Sequence, residues 1–177
     1  MFLNEEGKKK DLFPVVSSLG DFEGLRIDDF YLLFEGEKIV AAAALWKQFE
    51  YRQYVVKRYA GIMKCAHILN PLLHRLGYIR LPKENAAMEF PMLSFFLSKE
   101  ERMDYYQAFL SYMHKEIAKD YGMYVIGLPK QHALANVYRK KPNIHFDTEL
   151  YGIHFGKTCN QRLQVFETKI RPECGLL

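Results

Sequence analysis

The stretch that decides the fold is residues 92–128, which read MLSFFLSKEERMDYYQAFLSYMHKEIAKDYGMYVIGL. Residues 92–97 and 124–128 are short apolar runs, as expected of strands buried in a sheet. Residues 103–121 between them carry apolar side chains at helical spacing, at Tyr106, Phe109, Leu110, Met113 and Ile117. A strand–helix–strand crossover of this kind joins parallel strands, so the two runs are predicted to run in the same direction.

The turn into this helix, Ser98-Lys99-Glu100-Glu101, has the sequence of a capping box. In such a box the serine hydroxyl accepts a hydrogen bond from the amide of residue 101, and Glu101 reaches back to the amide of Ser98. The helix is therefore predicted to begin directly behind Ser98 and to end at Gly122.

Two further apolar runs precede this unit, at residues 30–34 (FYLLF) and 39–46 (IVAAAALW). Gly36 lies between them and can take the positive φ of a tight turn, which predicts a hairpin. Both runs are apolar nearly throughout, so both strands are expected inside a sheet that is covered on both faces. With strands at 148–155 and 163–170, the predicted fold is α+β, a mixed central sheet of about six strands flanked by helices.

Three more helices are predicted outside the core unit. Residues 60–76 carry one apolar stripe and contain Pro71, which should kink or split the helix. Short helices are predicted at 11–20 and at 131–140. The apolar stripe of the helix at 60–76 is formed by Ile62, Ala66, Leu69, Leu73 and Leu76. Cys65 lies next to it and is expected to be a partly buried, inert thiol.

Composition favours a globular domain. The chain has 177 residues, of which 49% are hydrophobic and 26% charged. Its longest apolar run is too short to span a membrane, and no apolar leader is visible, so no membrane partner is expected. Cys65, Cys159 and Cys174 form no CxxC pair, which favours a reducing compartment, and a cytoplasmic location is predicted.

The net charge argues against a nucleic-acid-binding protein, and the histidine spacing argues against a metal site. The chain has 25 basic and 21 acidic residues, and a net charge of +4 is low for a nucleic-acid-binding protein. Nucleic acid is therefore not an expected partner. His67 and His74 lie seven residues apart on one helix with no third ligand in evidence, so no metal is expected.

The order of elements resembles the GCN5-related N-acetyltransferase (GNAT) superfamily from about Asp28 to Phe155. The string DDFYLLFEGEKIVAAAALW is similar to that family's second and third strands, MLSFFL to its fourth, and YVIGL to its fifth. The helix that ends in KEIAKDYG is similar to the family's cofactor helix. The next helix, QHALANVYRK, is similar to one that commonly reads Asn-x-x-Ala-x-x-Leu-Tyr. Here the four positions are Gln131, Leu134, Val137 and Tyr138, so only the tyrosine is kept.

The chain looks like the second half of tandem GNAT-like proteins and lacks the family's first strand. The resemblance implies an N-terminal extension at 1–27 and a GNAT-like domain at 28–177, with a helical insertion at about 50–90. An uncovered sheet edge favours association. We therefore expect a homo-oligomer or a partner GNAT-like domain, which would supply the missing strand.

The resemblance also implies an acyl-CoA-dependent N-acyltransferase. Tyr138 falls on the family's general-acid position, where a tyrosine protonates the departing thiolate. Phe95 and Leu97 belong to the strand that would bind acetyl-CoA or another acyl-CoA, with backbone amides near Leu97 polarising the carbonyl. Glu50 and Glu89 flank the expected cleft and are candidate bases. A tyrosine simply packed on the sheet is the alternative interpretation of Tyr138.

The family's diphosphate-binding signature, Arg/Gln-x-x-Gly-x-Gly/Ala, falls on Arg102, Tyr105 and Gln107. The arginine matches, and both glycines that would let the backbone approach the diphosphate are lost. Glu100 and Glu101 place carboxylates beside the same site and would repel a polyanion. Weak or absent coenzyme A binding is therefore predicted.

Two functions stay open from the sequence. One is an acyltransferase with a degenerate diphosphate site, favoured by the surviving Arg102 and Tyr138. The other is a GNAT-derived domain that has lost catalysis and serves binding or assembly, favoured by the lost glycines. A basic cluster could bind cofactor phosphates, RNA phosphates or only water; it consists of Lys130, His132, Arg139, Lys140 and Lys141.

Overall fold

The structure is a computed structural model that describes residues 2–10, 13–76, 81–139 and 143–149, with Glu173 and Leu176. Its strands are β1 (Phe30–Glu35), β2 (Lys38–Trp46), β3 (Tyr54–Val55), β4 (Ala87–Met88), β5 (Met92–Ser98) and β6 (Val125–Ile126). Its α-helices are α1 (Phe2–Gly7), α2 (Ile62–Arg75), α3 (Met103–Asp120) and α4 (Ala133–Arg139). Short 3₁₀ helices lie at Leu19–Asp21, Ile27–Asp29 and Lys99–Glu101. The fold is α+β.

The main sheet is mixed and has four strands in the order β1-β2-β5-β6, while β3 and β4 form a separate pair. β1, β2 and β5 are antiparallel neighbours, and β6 is parallel to β5. The predicted parallel crossover through α3 is thus confirmed. A six-stranded sheet is not found among the described residues. Thr148 and Glu149 are described outside any strand, and the rest of the predicted strands at 148–155 and 163–170 lies outside the described part.

Each face of the sheet has its own hydrophobic cluster. On one face α3 packs through Tyr106, Phe109, Leu110, Met113 and Ile117, and all five are buried as their spacing predicts. On the other face the N-terminal segment contributes Leu3, Val16, Phe22 and Leu25. The four alanines of β2 at 41–44 are fully buried between these two layers. Because their side chains are small, elements on both faces can approach the sheet closely.

The N-terminal segment differs from its prediction. No helix covers residues 13–18, and the α-helix of this region is α1. The Asn4 side chain accepts a hydrogen bond from the Val16 amide and donates one to the Val16 carbonyl, each at 2.9 Å. This pair of bonds imitates a strand partner and holds the backbone around Val16 away from helical geometry. The division of the chain at residue 27 stays a prediction.

β1 is an edge strand with an open face. Leu32 is 45% exposed and Phe34 54% exposed, whereas β2 is buried from Val40 to Trp46. The expectation that both strands are covered on both faces is confirmed for β2 and wrong for β1. β1 has only β2 as a neighbour among the described strands. Gly36 has φ +60° in the turn that joins the two strands, as predicted.

α2 runs as one element through Pro71, so the proline does not split the predicted helix. It follows β3 in the connection between β2 and β5, in the region predicted as an insertion. Of its residues only Asn70 is buried. Cys65 is exposed, so the expectation of a partly buried thiol was wrong. The reason is that the described residues do not cover the side of α2 on which Cys65 lies.

Candidate functional site

A β-bulge interrupts β5 in the middle of the sheet. Ala44 of β2 pairs with Ser94 and Ala42 with Leu97, so that Phe95 and Phe96 together face Ala43. Phe95 has φ +52°, a conformation that residues other than glycine seldom adopt. A bulge re-aims side chains along a strand. In β5 it turns Phe96 toward α3 and Phe95 toward the N-terminal segment.

The Phe95 and Leu97 side chains are core residues. Both are fully buried in the cluster formed with the N-terminal segment. The Phe95 ring lies against aromatic rings at centroid distances of 5.2 to 6.2 Å, from Phe13, Phe22, Phe30 and Trp46. These side chains therefore fill the core, and what they can offer a ligand is the strand backbone.

The backbone amide of Phe95 is already engaged. It donates a hydrogen bond of 2.7 Å to Oε2 of Glu173, whose residue is itself buried. The neighbouring Ser94 hydroxyl is buried and has no hydrogen-bond partner among the described residues. A carboxylate from the end of the chain thus binds the donor that the bulge presents.

The ladder between β5 and β6 is short. It consists of Met92 with Val125 and Leu93 with Ile126. β5 continues beyond Leu93 to Ser98, while β6 ends at Ile126. The two parallel strands therefore share hydrogen bonds only where they begin, and the sheet is not closed by β6 beside the bulge.

The turn between β5 and α3 is strained and binds a carboxylate. Glu100 and Glu101 have φ values of +54° and +56°. The Glu100 amide donates to Oε2 of Glu6 on α1 at 3.2 Å, and Glu6 is buried. Lys9 contacts the other carboxylate oxygen of Glu6 at 2.8 Å. The almost fully buried ammonium of Lys10 pairs with Glu101.

The predicted capping box is therefore wrong. The Ser98 hydroxyl donates to the carbonyl of Arg102 at 3.1 Å and makes no cap bond. The box requires Glu101 to fold back toward Ser98, but in the left-handed turn Glu101 pairs with Lys10. α3 accordingly begins at Met103, with Arg102 as its N-terminal flanking residue.

Arg102 and Tyr105, two residues of the predicted diphosphate signature, are brought together. Arg102 donates from Nη1 to the Tyr105 hydroxyl at 2.8 Å, and its guanidinium lies 4.0 Å from the centre of that ring. It also contacts both carboxylate oxygens of Asp104, and Tyr105 donates to Glu35 at 2.8 Å. The Arg102 guanidinium lowers the pKa of Asp104, and the hydrogen bond to Glu35 raises the pKa of Tyr105.

Gln107, the third signature residue, lies elsewhere. It lines a shallow groove of about 320 Å³ between α3 and α4, with Leu110, Ser111 and Val137. The three predicted residues therefore do not form one anion site. Arg102 is engaged by the Asp104 carboxylate and the Tyr105 hydroxyl of this chain, whereas a diphosphate would require it to face an anion from outside.

Tyr138 lies in a chain of polar side chains between α3 and α4. Its hydroxyl is 2.6 Å from that of Tyr124, which in turn contacts Nε2 of His114. Burial raises the pKa of both tyrosines above its ordinary value. A hydroxyl–hydroxyl–imidazole chain can pass a proton, and the raised pKa keeps both phenols protonated at neutral pH.

The other residues that the sequence analysis named lie away from the hydrogen-bonded side chains of Tyr138, Tyr124 and His114. Glu50 is exposed in the turn after β2. Glu89 lines a depression of about 470 Å³ together with Lys83 and Met123. His67 stacks on Tyr59 with ring centres 4.4 Å apart. Among the described residues, no group of three potential metal ligands is found.

The basic cluster is only partly described. Lys130 lies 3.3 Å from Asp147, and the His132 ring packs edge-on against Tyr106 at 5.3 Å. Arg139 is exposed at the end of α4. Lys140 and Lys141 lie outside the described residues. Lys130 and His132 thus contact different partners within the chain.

Glu6, Lys10, Glu173, Tyr124 and His114 were not singled out from the sequence. Each reaches its partner through the tertiary fold, and Glu6, Lys10 and Glu173 act across more than seventy residues. The one available signal is the charge of the N-terminal stretch, in which Glu6 precedes the lysine run Lys8–Lys10.

Comparison of the chain with protein-family models, with curated proteins and with solved structures finds no match. In the part of the chain that the structure describes, no helix is both long and apolar enough to cross a membrane.

Proposed function

We propose that this chain is a GNAT-derived domain that serves binding or assembly and has lost acyl transfer. One observation carries the proposal: the Glu6 carboxylate accepts the hydrogen bond of the Glu100 amide at the turn between β5 and α3. In the family that the sequence resembles, amides at this turn meet the cofactor's diphosphate. Here a carboxylate of the chain itself holds the donor.

Electrostatics at the turn also opposes a diphosphate. Glu6, Glu100 and Glu101 bring three carboxylates to the turn, and two cations of the N-terminal segment, Lys9 and Lys10, pair with Glu6 and Glu101. A diphosphate would have to displace Glu6 and then lie beside like charges, where repulsion is strongest because the surroundings are partly buried. Binding of coenzyme A is therefore expected to be weak or absent.

The bulge supports the same conclusion. The backbone amides expected to polarise a thioester carbonyl are those near Leu97, and at Phe95, two residues away, Glu173 already accepts the hydrogen bond at 2.7 Å. A hydrogen bond to a charged acceptor is about twice as strong as one to a neutral carbonyl. An acyl group would therefore compete at a disadvantage with the chain's own carboxylate.

An assembly role is supported by the edge strand β1. Leu32 and Phe34 project from it with about half of their surface exposed. An apolar edge strand can accept another strand from a partner. A partner GNAT-like domain, or a second copy of this chain, would cover these side chains and complete the sheet.

Acyl transfer remains the second candidate, and one observation favours it. The β5–β6 ladder ends after Leu93, so the two parallel strands are joined only at their beginning. An acyl-CoA would be expected between the unpaired continuations of these strands. Tyr138, hydrogen-bonded to Tyr124, would then be the proton donor.

The test is thermal unfolding with and without saturating acetyl-CoA. A ligand at 100 times its dissociation constant stabilises by about 2.7 kcal/mol, which raises Tm by roughly 5–10 °C for a domain of this size. We expect a shift below about 2 °C by the same arithmetic. A shift in the full range for the unmodified protein would restore the acyltransferase.

Two variants distinguish the two possible obstacles to coenzyme A binding, which are the Glu6 carboxylate and the loss of the signature glycines. Glu6→Ala should gain a shift if the carboxylate blocks the turn, and Glu5→Ala, at an exposed position on the same helix, is its matched control. Tyr105→Gly combined with Gln107→Gly should gain nothing, because neither substitution releases the Glu100 amide. Each variant is compared with its own Tm in the absence of ligand.

A further inference from the structure

α2 presents an apolar stripe to solvent. Ile62, Leu69, Leu72 and Leu76 follow one another at spacings of seven, three and four residues, so they share one side of the helix. Their exposed fractions lie between 55% and 88%. A surface helix normally packs such a stripe on the core. Here the stripe faces solvent instead.

α2 is attached to the protein by a different side. The His67 ring stacks on Tyr59, and Oδ1 of Asn70 accepts a hydrogen bond from the Leu81 amide at 2.8 Å. Tyr59 in turn donates to the carbonyl of Pro82 at 2.8 Å. These contacts join α2 to the loops before and after it without using the large aliphatic residues of the stripe.

Along the sequence, the positive charge of the chain is concentrated in the stretch that contains this helix. Residues 51–83 contain no acidic residue and seven basic ones: Arg52, Lys57, Arg58, Lys64, Arg75, Arg80 and Lys83. The whole chain has 25 basic and 21 acidic residues, so the remainder has 18 basic against 21 acidic. The net charge of +4 is therefore the sum of +7 here and −3 elsewhere.

Charge and stripe lie side by side. Lys64, Ile68 and Arg75 are spaced by four and seven residues, which places both cations along one border of the stripe. All three side chains are exposed. Lys and Arg can keep their charged ends at the level of lipid phosphates while their stems and the neighbouring aliphatic residues enter the apolar layer.

We propose that α2 and the basic segments beside it dock on an anionic phospholipid bilayer, with α2 lying in the plane of the membrane surface. The charge selects this occupant: an anionic surface attracts Lys64 and Arg75 beside the stripe, whereas a second copy docked at α2 would bring two such pairs of cations together. The sequence-based expectation of no membrane partner considered spanning segments only. This inference is independent of the acyl-CoA question.

Sedimentation with phospholipid vesicles tests the proposal. The full chain should bind vesicles that contain phosphatidylserine at least tenfold more tightly than vesicles of phosphatidylcholine alone, and high salt should remove the difference. Equal binding to both vesicles, or binding to neither, would overturn the proposal.

Paired variants test the two parts of the surface. Lys64→Gln with Arg75→Gln should weaken binding about 25-fold, at about fivefold for each cation near the bilayer. Leu69→Gln with Leu72→Gln should weaken it at least tenfold. The matched controls, Lys115→Gln with Lys119→Gln on α3 and Val15→Gln with Ile27→Gln, should bind as the unmodified protein does.

Circular dichroism of each variant establishes that the fold is kept, and all substituted positions are exposed. Vesicle binding that survives both α2 variants would overturn the proposal.

Light scattering supplies a second readout. A dimer that dissociates on Leu69→Gln with Leu72→Gln, in a protein that ignores vesicles, would identify a second copy as the occupant.

Discussion

The ammonium of Lys10 and the carboxylate of Glu101 form an ion pair across 91 residues of sequence, and the two ends are unequally buried. The Lys10 side chain is 2% exposed and that of Glu101 is 35% exposed. Loss of either partner therefore leaves the other in a different environment. Removal of the ammonium leaves a carboxylate that can reach water, whereas removal of the carboxylate leaves a buried ammonium with one anion fewer beside it.

We predict that Glu101→Gln destabilises the protein more than Lys10→Met does. Glu101→Gln takes a negative charge away from the buried Lys10 ammonium, and breaking a buried ion pair from this side costs up to about 3–5 kcal/mol. Lys10→Met removes the buried charge and keeps the apolar stem, so its cost should be at least about 1 kcal/mol smaller. Urea unfolding measures both. Equal losses, or the reverse order, would show that the unequal burial has no energetic consequence.

A pH dependence is expected from Tyr124 and Tyr138. Burial raises the pKa of each above the ordinary value of 10, so the folded state keeps these protons to higher pH than the unfolded state does. Their contribution to stability is complete below pH 10 and is lost as the pH rises above it. Free energies of unfolding at neutral pH and above pH 10 measure this.

The double change Tyr124→Phe with Tyr138→Phe should make the alkaline loss of stability shallower. Tyr112→Phe, at an exposed tyrosine of α3, is the control and should keep the slope of the unmodified protein. A slope that the double change leaves untouched would mean that other groups cause the alkaline loss.

Two buried serines of β5 are predicted to respond oppositely to alanine. The Ser94 hydroxyl has no partner among the described residues, so Ser94→Ala removes an unsatisfied polar group and should be neutral or stabilising. The Ser98 hydroxyl donates to Arg102 at 3.1 Å, and Ser98→Ala should cost about 1 kcal/mol or more. Thermal unfolding compares them directly. A large loss in Ser94→Ala would reveal a partner for that hydroxyl.

Association through β1 is the fourth prediction. Leu32→Lys with Phe34→Lys places charges on the open face of the edge strand, a device that blocks pairing of edges. Light scattering should show a larger species for the unmodified protein and a monomer for this variant. Val15→Lys, at another exposed apolar position, should leave the larger species intact. A monomeric unmodified protein at high concentration would contradict the assembly role.

Regular elements with local signals could be predicted from the sequence. The five apolar positions of α3 are all buried, and the parallel arrangement of β5 and β6 follows from the crossover. Gly36 has the positive φ that the hairpin required. These features depend on spacing and on backbone sterics within a few residues, which the sequence displays directly.

The candidate site could not be predicted, because its contacts compete with local signals and win. Glu101 has the sequence of a capping-box residue but pairs with Lys10 across the fold. The residues around Val16 have a helical pattern, but Asn4 holds them extended. Spacing within a segment shows what that segment prefers alone, and it carries no information on a partner outside it, whether twelve residues away like Asn4 or 91 residues away like Lys10.

The position of Phe95 against the N-terminal segment has a consequence for synthesis of the chain. Phe22 and its neighbours leave the ribosome before Phe95, which is 73 residues further along. At 5–20 residues per second, the first aromatic residues wait roughly 4–15 s for the ring on which they pack. During that interval the face of β2 that α3 covers in the folded protein is also open, so the nascent chain is exposed to chaperones and to aggregation until β5 and α3 emerge.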